Sequence, residues 1–190
     1  MESTKNIAVL VGSLRKDSFN RKTALAMCDL APPALKLGIV EIGDLPLYNQ
    51  EFDEKAENLP ETYGPFRRRI AAADGVLFVT PEYNRSLPAV LKNAIDVGSR
   101  PYGKSAWQGK PAGIVSVAFG AIGGFGANHH LRQSLVFLDM PTMQQPEAYI
   151  GGADKLFDAT GRLVVDSTRD FLRNYIERFA AWTARHAARQ

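Results

Sequence analysis

Three short clusters carry nearly all the chemistry in this chain. The first, Gly12 to Asn20 (GSLRKDSFN), brings Ser13, Arg15, Ser18 and Asn20 close together in sequence. Hydroxyl, amide and guanidinium donors at this spacing, with backbone N–H groups between them, can wrap a phosphate where a helix begins. Ser and Asn are also common helix caps, so this loop alone decides little. The second cluster, Pro81-Glu82-Tyr83-Asn84, joins a rigid residue, an aromatic ring and exchangeable donors and acceptors. Such a set suits the edge of a flat heterocycle. The third runs from Ser116 through Gly120 to Gly123-Gly124. Its glycines let the backbone approach a planar ring closely. A helix start just beyond them would place partial positive charge beside that ring, which favours a reduced, negatively charged form.

Each cluster follows an apolar run: Ile7–Val11, Val76–Val79 and Ala112–Ala118. Unbroken runs of this kind suit strands of a parallel sheet covered on both faces. A less uniform strand is expected near Leu37–Ile42, toward a sheet edge, and a fifth near Thr142–Met143 or Ala148–Ile150. Helical patterns lie between the strands, over Arg21–Leu30 and Pro65–Ala73, from Pro88 to Gly98 with Ser86 as the cap, and over Ala127–Asp139. The last helix, near 166–186, lines up Phe171, Leu172, Tyr175, Ile176, Phe179 and Trp182 on one face. Cys28 is expected on the inner side of its helix. Arg67, Arg68 and Arg69 are expected to fan into solvent, and residues 43–61 to form a long loop of the kind that shapes a binding site.

This alternation implies an α/β fold in one domain spanning 1–190. Its form is a flavodoxin-like three-layer sandwich, with a five-stranded parallel sheet in order 2-1-3-4-5 and helices on both faces. In that order the three clusters lie side by side at the carboxyl edge of the sheet, where such folds bind ligands. A monophosphate attached to a flat redox ring, as in FMN, matches their combined chemistry. Neither GxGxxG after the first strand nor GxxxxGK[ST] occurs.

Composition sets the outer bounds. A chain of 190 residues with a formal charge of +3 spread along its length gives no basic patch of the kind nucleic acid requires. No apolar span is long enough for a membrane helix, and residues 1–6 hold no signal-peptide core. The single cysteine, Cys28, excludes an internal disulfide and points to a reducing, cytoplasmic setting. His129 and His130 are adjacent and so point apart on a helix, which excludes a facing metal pair. Glu82 is expected to shape its loop rather than act as a base, and no catalytic acid, base or metal is expected.

With these residues in view, the sequence resembles the bacterial NADPH-dependent FMN reductase family, including its chromate- and quinone-reducing members. The resemblance is carried by GSLRKDSFN (12–20), DGVLFVTPEYNRSLPAVLKNAID (74–96), GAIGGFGANHHLRQSLVFLD (120–139) and DATGRLV (158–164). It implies bound FMN, NADPH or NADH as co-substrate, and a homodimer or homotetramer. Carried over, Ser13, Arg15, Ser18 and Asn20 hold the phosphate, while Pro81, Glu82, Tyr83 and Asn84 line the flavin and its ribityl chain. Ser116, Gly120 and Gly123 close over the far side of the ring. The implied reaction is ping-pong hydride transfer through FMN to quinones or other small acceptors of azo, nitro or chromate type.

The chain departs from the family pattern at Ala89, usually Gly, and at Val97, usually aromatic, which would thin the aromatic character near a subunit interface. Arg85, facing the nicotinamide side, would favour anionic acceptors or the phosphates of the co-substrate. Tyr102 and Trp107 are either loop packing or part of a neighbouring subunit's wall over the flavin. The alternatives to an enzyme are a flavodoxin-like electron carrier and a flavin-binding regulatory protein without turnover. Mild basicity argues against the carrier, since such proteins tend to be acidic to dock on basic partners.

Overall fold

The apolar runs become strands because their side chains are covered on both sides. In the computed structural model, which describes residues 3–187, β3 (Gly75–Thr80) and β4 (Ala112–Val117) are buried at every position. β1 (Lys5–Val11) is buried from Ile7 onward. β2 (Leu35–Val40) and the short β5 (Ala148–Ile150) form the edges. All neighbours pair in parallel, in the order β2-β1-β3-β4-β5. The helices are α1 (Phe19–Leu30), α2 (Tyr63–Ala71), α3 (Ala89–Gly98), α4 (Phe125–Phe137) and α5 (Asp166–Ala187).

Successive strand residues point to opposite faces, and this splits the core in two. Ala8, Leu10, Val76 and Phe78 meet Phe66, Ile70, Leu91, Ile95, Leu131 and Leu135 of α2, α3 and α4. Ile7, Val9, Leu77 and Val79 meet Ala24, Met27, Leu172 and Ile176 of α1 and α5. The result is the three-layer, flavodoxin-like arrangement. Among the described residues no helix is long and apolar enough to cross a membrane.

Several boundaries differ from expectation for local reasons. α1 begins at Phe19 because the Ser18 hydroxyl accepts from the Arg21 N–H at 3.2 Å and caps the helix. β2 ends at Val40, since Glu41 turns outward to meet the Arg21 guanidinium at 2.6 and 3.1 Å. Of the two candidates for the last strand, Ala148–Ile150 pairs along β4, whereas Thr142 makes only an isolated bridge to Ala112. Ser86 does not cap α3; Pro88 occupies that position, and Ser86 closes a tight turn with Tyr83.

β5 is too short to pair the whole edge of β4. The Ala112 N–H therefore donates to the Pro141 carbonyl, and the Tyr175 hydroxyl of α5 serves Ile114. That hydroxyl accepts from the Ile114 N–H at 2.7 Å and donates to the Ile114 carbonyl at 2.9 Å. Burial pushes the Tyr175 phenol far above its ordinary range.

Arg67 does not fan outward. It grips Asp53 at 2.7 and 3.1 Å, donates from Nε to the Val97 carbonyl at 2.9 Å, and lies 5.2 Å over the Tyr63 ring. Asn93 of α3 completes the stitching: its Oδ1 accepts from the Tyr48 N–H, and its Nδ2 donates to the Leu45 and Pro46 carbonyls. The loop after β2 needs partners for its own backbone groups, and it finds them on α2 and α3. Arg69 donates to the Ile39 carbonyl, and Arg68 is exposed.

Trp107 is loop packing, wholly buried with its indole N–H on the Ile95 carbonyl, whereas Tyr102 is 87% exposed. Val97 is also wholly buried, in the core of this chain, so its side chain belongs to no exposed face. Cys28 lies at the margin of the inner face of α1, half-buried, and burial raises its thiol pKa. His129 and His130 diverge, one toward the Tyr149 hydroxyl and the other toward the Ser86 hydroxyl.

Candidate functional site

β1, β3 and β4 are neighbours that run the same way, so their carboxyl ends open onto one edge of the sheet. The Gly12 N–H donates to the Val79 carbonyl at 2.8 Å, which holds the first two loops together as they leave the sheet. The three loops enclose a cavity of about 450 Å³, within the range of roughly 300–1,000 Å³ typical of small-molecule sites.

Of the eleven residues assigned to the cofactor from sequence, nine line it: Ser13, Arg15, Ser18, Asn20, Pro81, Glu82, Tyr83, Gly120 and Gly123; Arg85 and Gly124 line it too. Asn84 and Ser116 do not. Asn84 is exposed at the tip of the turn closed by Tyr83 and Ser86. Ser116 is fully buried below the cavity wall, its hydroxyl donating to the Ala148 carbonyl and accepting from the Asn128 amide. No residue of the 43–61 loop reaches the cavity.

The polar end is built by the start of α1. Arg15 is exposed, while Ser13, Ser18 and Asn20 are buried. Ser18 spends an oxygen lone pair on its cap, which leaves its hydroxyl hydrogen available. Asn20 donates to the Val117 carbonyl at 3.3 Å, tying the α1 start to the end of β4, yet its Oδ1 is buried without a partner. A buried polar atom in that state lacks a donor that a ligand hydroxyl can supply.

The opposite wall is the loop from Ala118 to Gly124. Gly123 adopts φ +64°, and a Cβ there would come within 2.5 Å of the Tyr149 carbonyl carbon. Only glycine lets this loop cross the β5 backbone. α4 then starts at Phe125, and the N-terminal charge of that helix is already engaged. Glu82 Oε2 accepts from the Ala127 N–H at 3.1 Å, and Gly124 offers no side-chain cap. The carboxylate of the second loop thus caps the helix that follows the third, where sequence suggested only a role in loop shape. Glu82→Gln keeps the acceptor and loses the charge on the helix end, worth about 0.3–1 kcal/mol. Glu82→Ala loses both, a cost of about 0.5–2 kcal/mol. Urea midpoints should therefore fall in the order wild type, Gln, Ala.

Phe119, Ile122 and Ala153 also line the cavity and were not singled out from sequence. Phe119 is 60% exposed and meets Phe19 edge-on at 5.3 Å. The available signal was a large apolar residue set in a glycine–alanine loop, where neither strand nor helix needs one. Ala153 had no such signal. It arrives through the turn after β5, its N–H donating to the Ala118 carbonyl.

Comparison with known proteins bears on the family and the fold. The sequence profile of the family described as NADPH-dependent FMN reductase matches residues 5–155. A quinone reductase from Pseudomonas putida is 64% identical over 182 residues, covering 96% of each chain. A 2-hydroxy-1,4-benzoquinone reductase from Burkholderia is 49% identical over 176 residues, 93% of this chain and 94% of that one. Among solved structures, the flavoenzyme NAD(P)H:(acceptor) oxidoreductase FerB from Paracoccus denitrificans superposes with a TM-score of 0.89 at 39% identity, covering 96% of this chain and 99% of its own. The chain belongs to the NADPH-dependent FMN reductase family and is an oxidoreductase with FMN as cofactor and NAD(P)H as co-substrate.

Proposed function

We propose that this protein is an NAD(P)H:quinone oxidoreductase. The overall reaction is NAD(P)H + H⁺ + quinone → NAD(P)⁺ + hydroquinone, a transfer of two electrons. The observation that carries the proposal is the convergence of three unlike loops on one cavity in a chain 64% identical to a quinone reductase. Bound FMN supplies the hydride chemistry, and the protein supplies position and electrostatics.

Ser13, Arg15 and Ser18 hold the phosphate, Arg15 by charge-assisted hydrogen bonds and Ser18 by its free hydroxyl hydrogen. Asn20 offers its second amide hydrogen to the phosphate and its unpartnered Oδ1 to a ribityl hydroxyl. Pro81, Glu82 and Tyr83, with Asn84 completing their turn, position one edge of the ring. Gly120 and Gly123 let the opposite wall approach, and Ser116 supports that wall from beneath. Donor and acceptor occupy the same opening in turn, a ping-pong order, and small azo, nitro or chromate-type acceptors fit the same scheme. The protein works as a single domain, in a homodimer or homotetramer, and in the reducing cytoplasm that a lone, half-buried Cys28 suits.

The direct test is an anaerobic visible spectrum of the FMN-loaded protein as NADPH and then benzoquinone are added. The flavin band should bleach and then recover; a band that stays unbleached refutes turnover. The phosphate assignment has its own test. Arg15→Ala should raise the Kd for FMN about tenfold or more, the usual worth of a hydrogen bond to a charged group. The thermal midpoint of the FMN-free protein should not move, because Arg15 is exposed.

A further inference from the structure

Three charged side chains line the cavity: Arg15, Glu82 and Arg85. The first binds phosphate and the second caps α4, which leaves Arg85 without a task. Its backbone is unusual. Asn84 and Arg85 have φ +50° and +65°, and the turn is closed by reciprocal Tyr83–Ser86 backbone hydrogen bonds of 2.9 Å. A two-residue turn of this shape favours glycine in its second position, since a Cβ is crowded there. A large side chain kept at such a position points to a task for that side chain.

The guanidinium is also held in place. Arg85 Nη1 donates to Glu82 Oε1 at 3.3 Å, and the same carboxylate is anchored through Oε2 on the Ala127 N–H. The Glu82 side chain is 13% exposed and that of Arg85 76%, so the pair has a fixed inner end and an open outer one. At the far end of the turn, the Ser86 hydroxyl meets His130 Nδ1 at 3.0 Å, which ties it to α4. Glu82 shares its negative charge with the helix terminus, so it does not cancel the arginine, whose remaining N–H donors stay open. A planar fork of N–H donors at the mouth of a redox cavity matches a planar anion.

We infer that Arg85 selects the electron acceptor, favouring quinones that carry an ionised hydroxyl or carboxylate over neutral ones. This rests on the quinone-reductase reading above. The hydride balance is unchanged; only the acceptor that docks is chosen.

The test compares wild-type holoenzyme with Arg85→Gly and Arg85→Lys on 1,4-naphthoquinone and its ionised 2-hydroxy derivative at neutral pH. Glycine suits the turn, so that variant keeps its fold. Arg85→Gly should lower the ratio of kcat/KM, anionic over neutral, by about tenfold or more, and Arg85→Lys should retain most of it. Calorimetric binding of each quinone to the oxidised holoenzyme, with no nicotinamide present, should show the same loss for the anion. An unchanged ratio, or equal loss on both quinones, overturns the inference. So does an effect confined to the KM for NADPH, which would make Arg85 a contact for the co-substrate phosphates. Wild-type holoenzyme that reduces neither quinone refutes the quinone-reductase reading instead, and calorimetry still measures the preference of Arg85.

Discussion

Trp107→Ala lowers the stability of this fold by about 3–5 kcal/mol, the usual cost of removing a large aromatic side chain from a core. The indole is fully buried, 6.1 Å from the ring centroids of both Phe66 and Phe78, and its N–H serves the Ile95 carbonyl. It also fills the space above α3: a Cβ on Gly98 would lie 2.6 Å from three of its atoms. The surroundings cannot collapse into the gap, because Phe78 belongs to a central strand and Ile95 to a packed helix. Urea unfolding followed by far-ultraviolet circular dichroism measures the loss, since tryptophan emission itself changes in the variant. A loss below about 1 kcal/mol would show that the site relaxes, against the usual behaviour of large-to-small core changes. None of these partners lines the cavity, so FMN affinity in the folded variant should stay near wild type.

The second large effect belongs to Arg67. Its ion pair with Asp53 is mostly shielded, with side chains 14% and 9% exposed. Arg67→Ala leaves the shielded Asp53 carboxylate without a counter-charge, held only by the Tyr48 hydroxyl at 3.2 Å, and strips a donor from the Val97 carbonyl. Breaking one side of a buried pair costs about 3–5 kcal/mol, whereas replacing both sides with apolar groups of similar volume often costs little. Arg67→Met with Asp53→Leu should therefore recover much of the stability lost in Arg67→Ala. The loop 43–61 provides a second readout: limited proteolysis should cut it faster in the single variant. Equal stability of single and double variants would refute this account.

How much of this was legible in sequence depends on the range of the interaction. Four strand positions follow from apolar runs such as Val76–Val79, the sheet order from the alternation of strands with helices, and the convergence of the three loops from the rule that parallel sheets bind ligands at their carboxyl edge. Contacts between segments far apart in the chain were not legible. Nothing near Arg67 in sequence announces Asp53, so a basic run on a polar helix face reads as solvated. Nothing near Glu82 announces the N-terminus of α4, 45 positions on, that its carboxylate caps. Ser116 is the reverse case, a polar side chain in a cavity-forming segment that packing takes inward. Its neighbours in sequence reach the cavity, but strand alternation turns its own side chain below the wall, against Ala148 and Asn128. The family resemblance located the motifs, and three-dimensional packing then divided them between positions that line the cavity and positions behind its wall.

The bond between Tyr175 and Ile114 has a consequence for how the molecule opens. The Ile114 amide hydrogen is held by a side chain of the last helix and not by a neighbouring strand. Its exchange with deuterated solvent therefore requires α5 to lift off the sheet, while the amides of β3 require the sheet itself to part. If the two events differ in free energy, Ile114 exchanges faster than Val76 to Val79, and the gap between them measures how far the C-terminal helix can undock while the rest of the sheet stays folded.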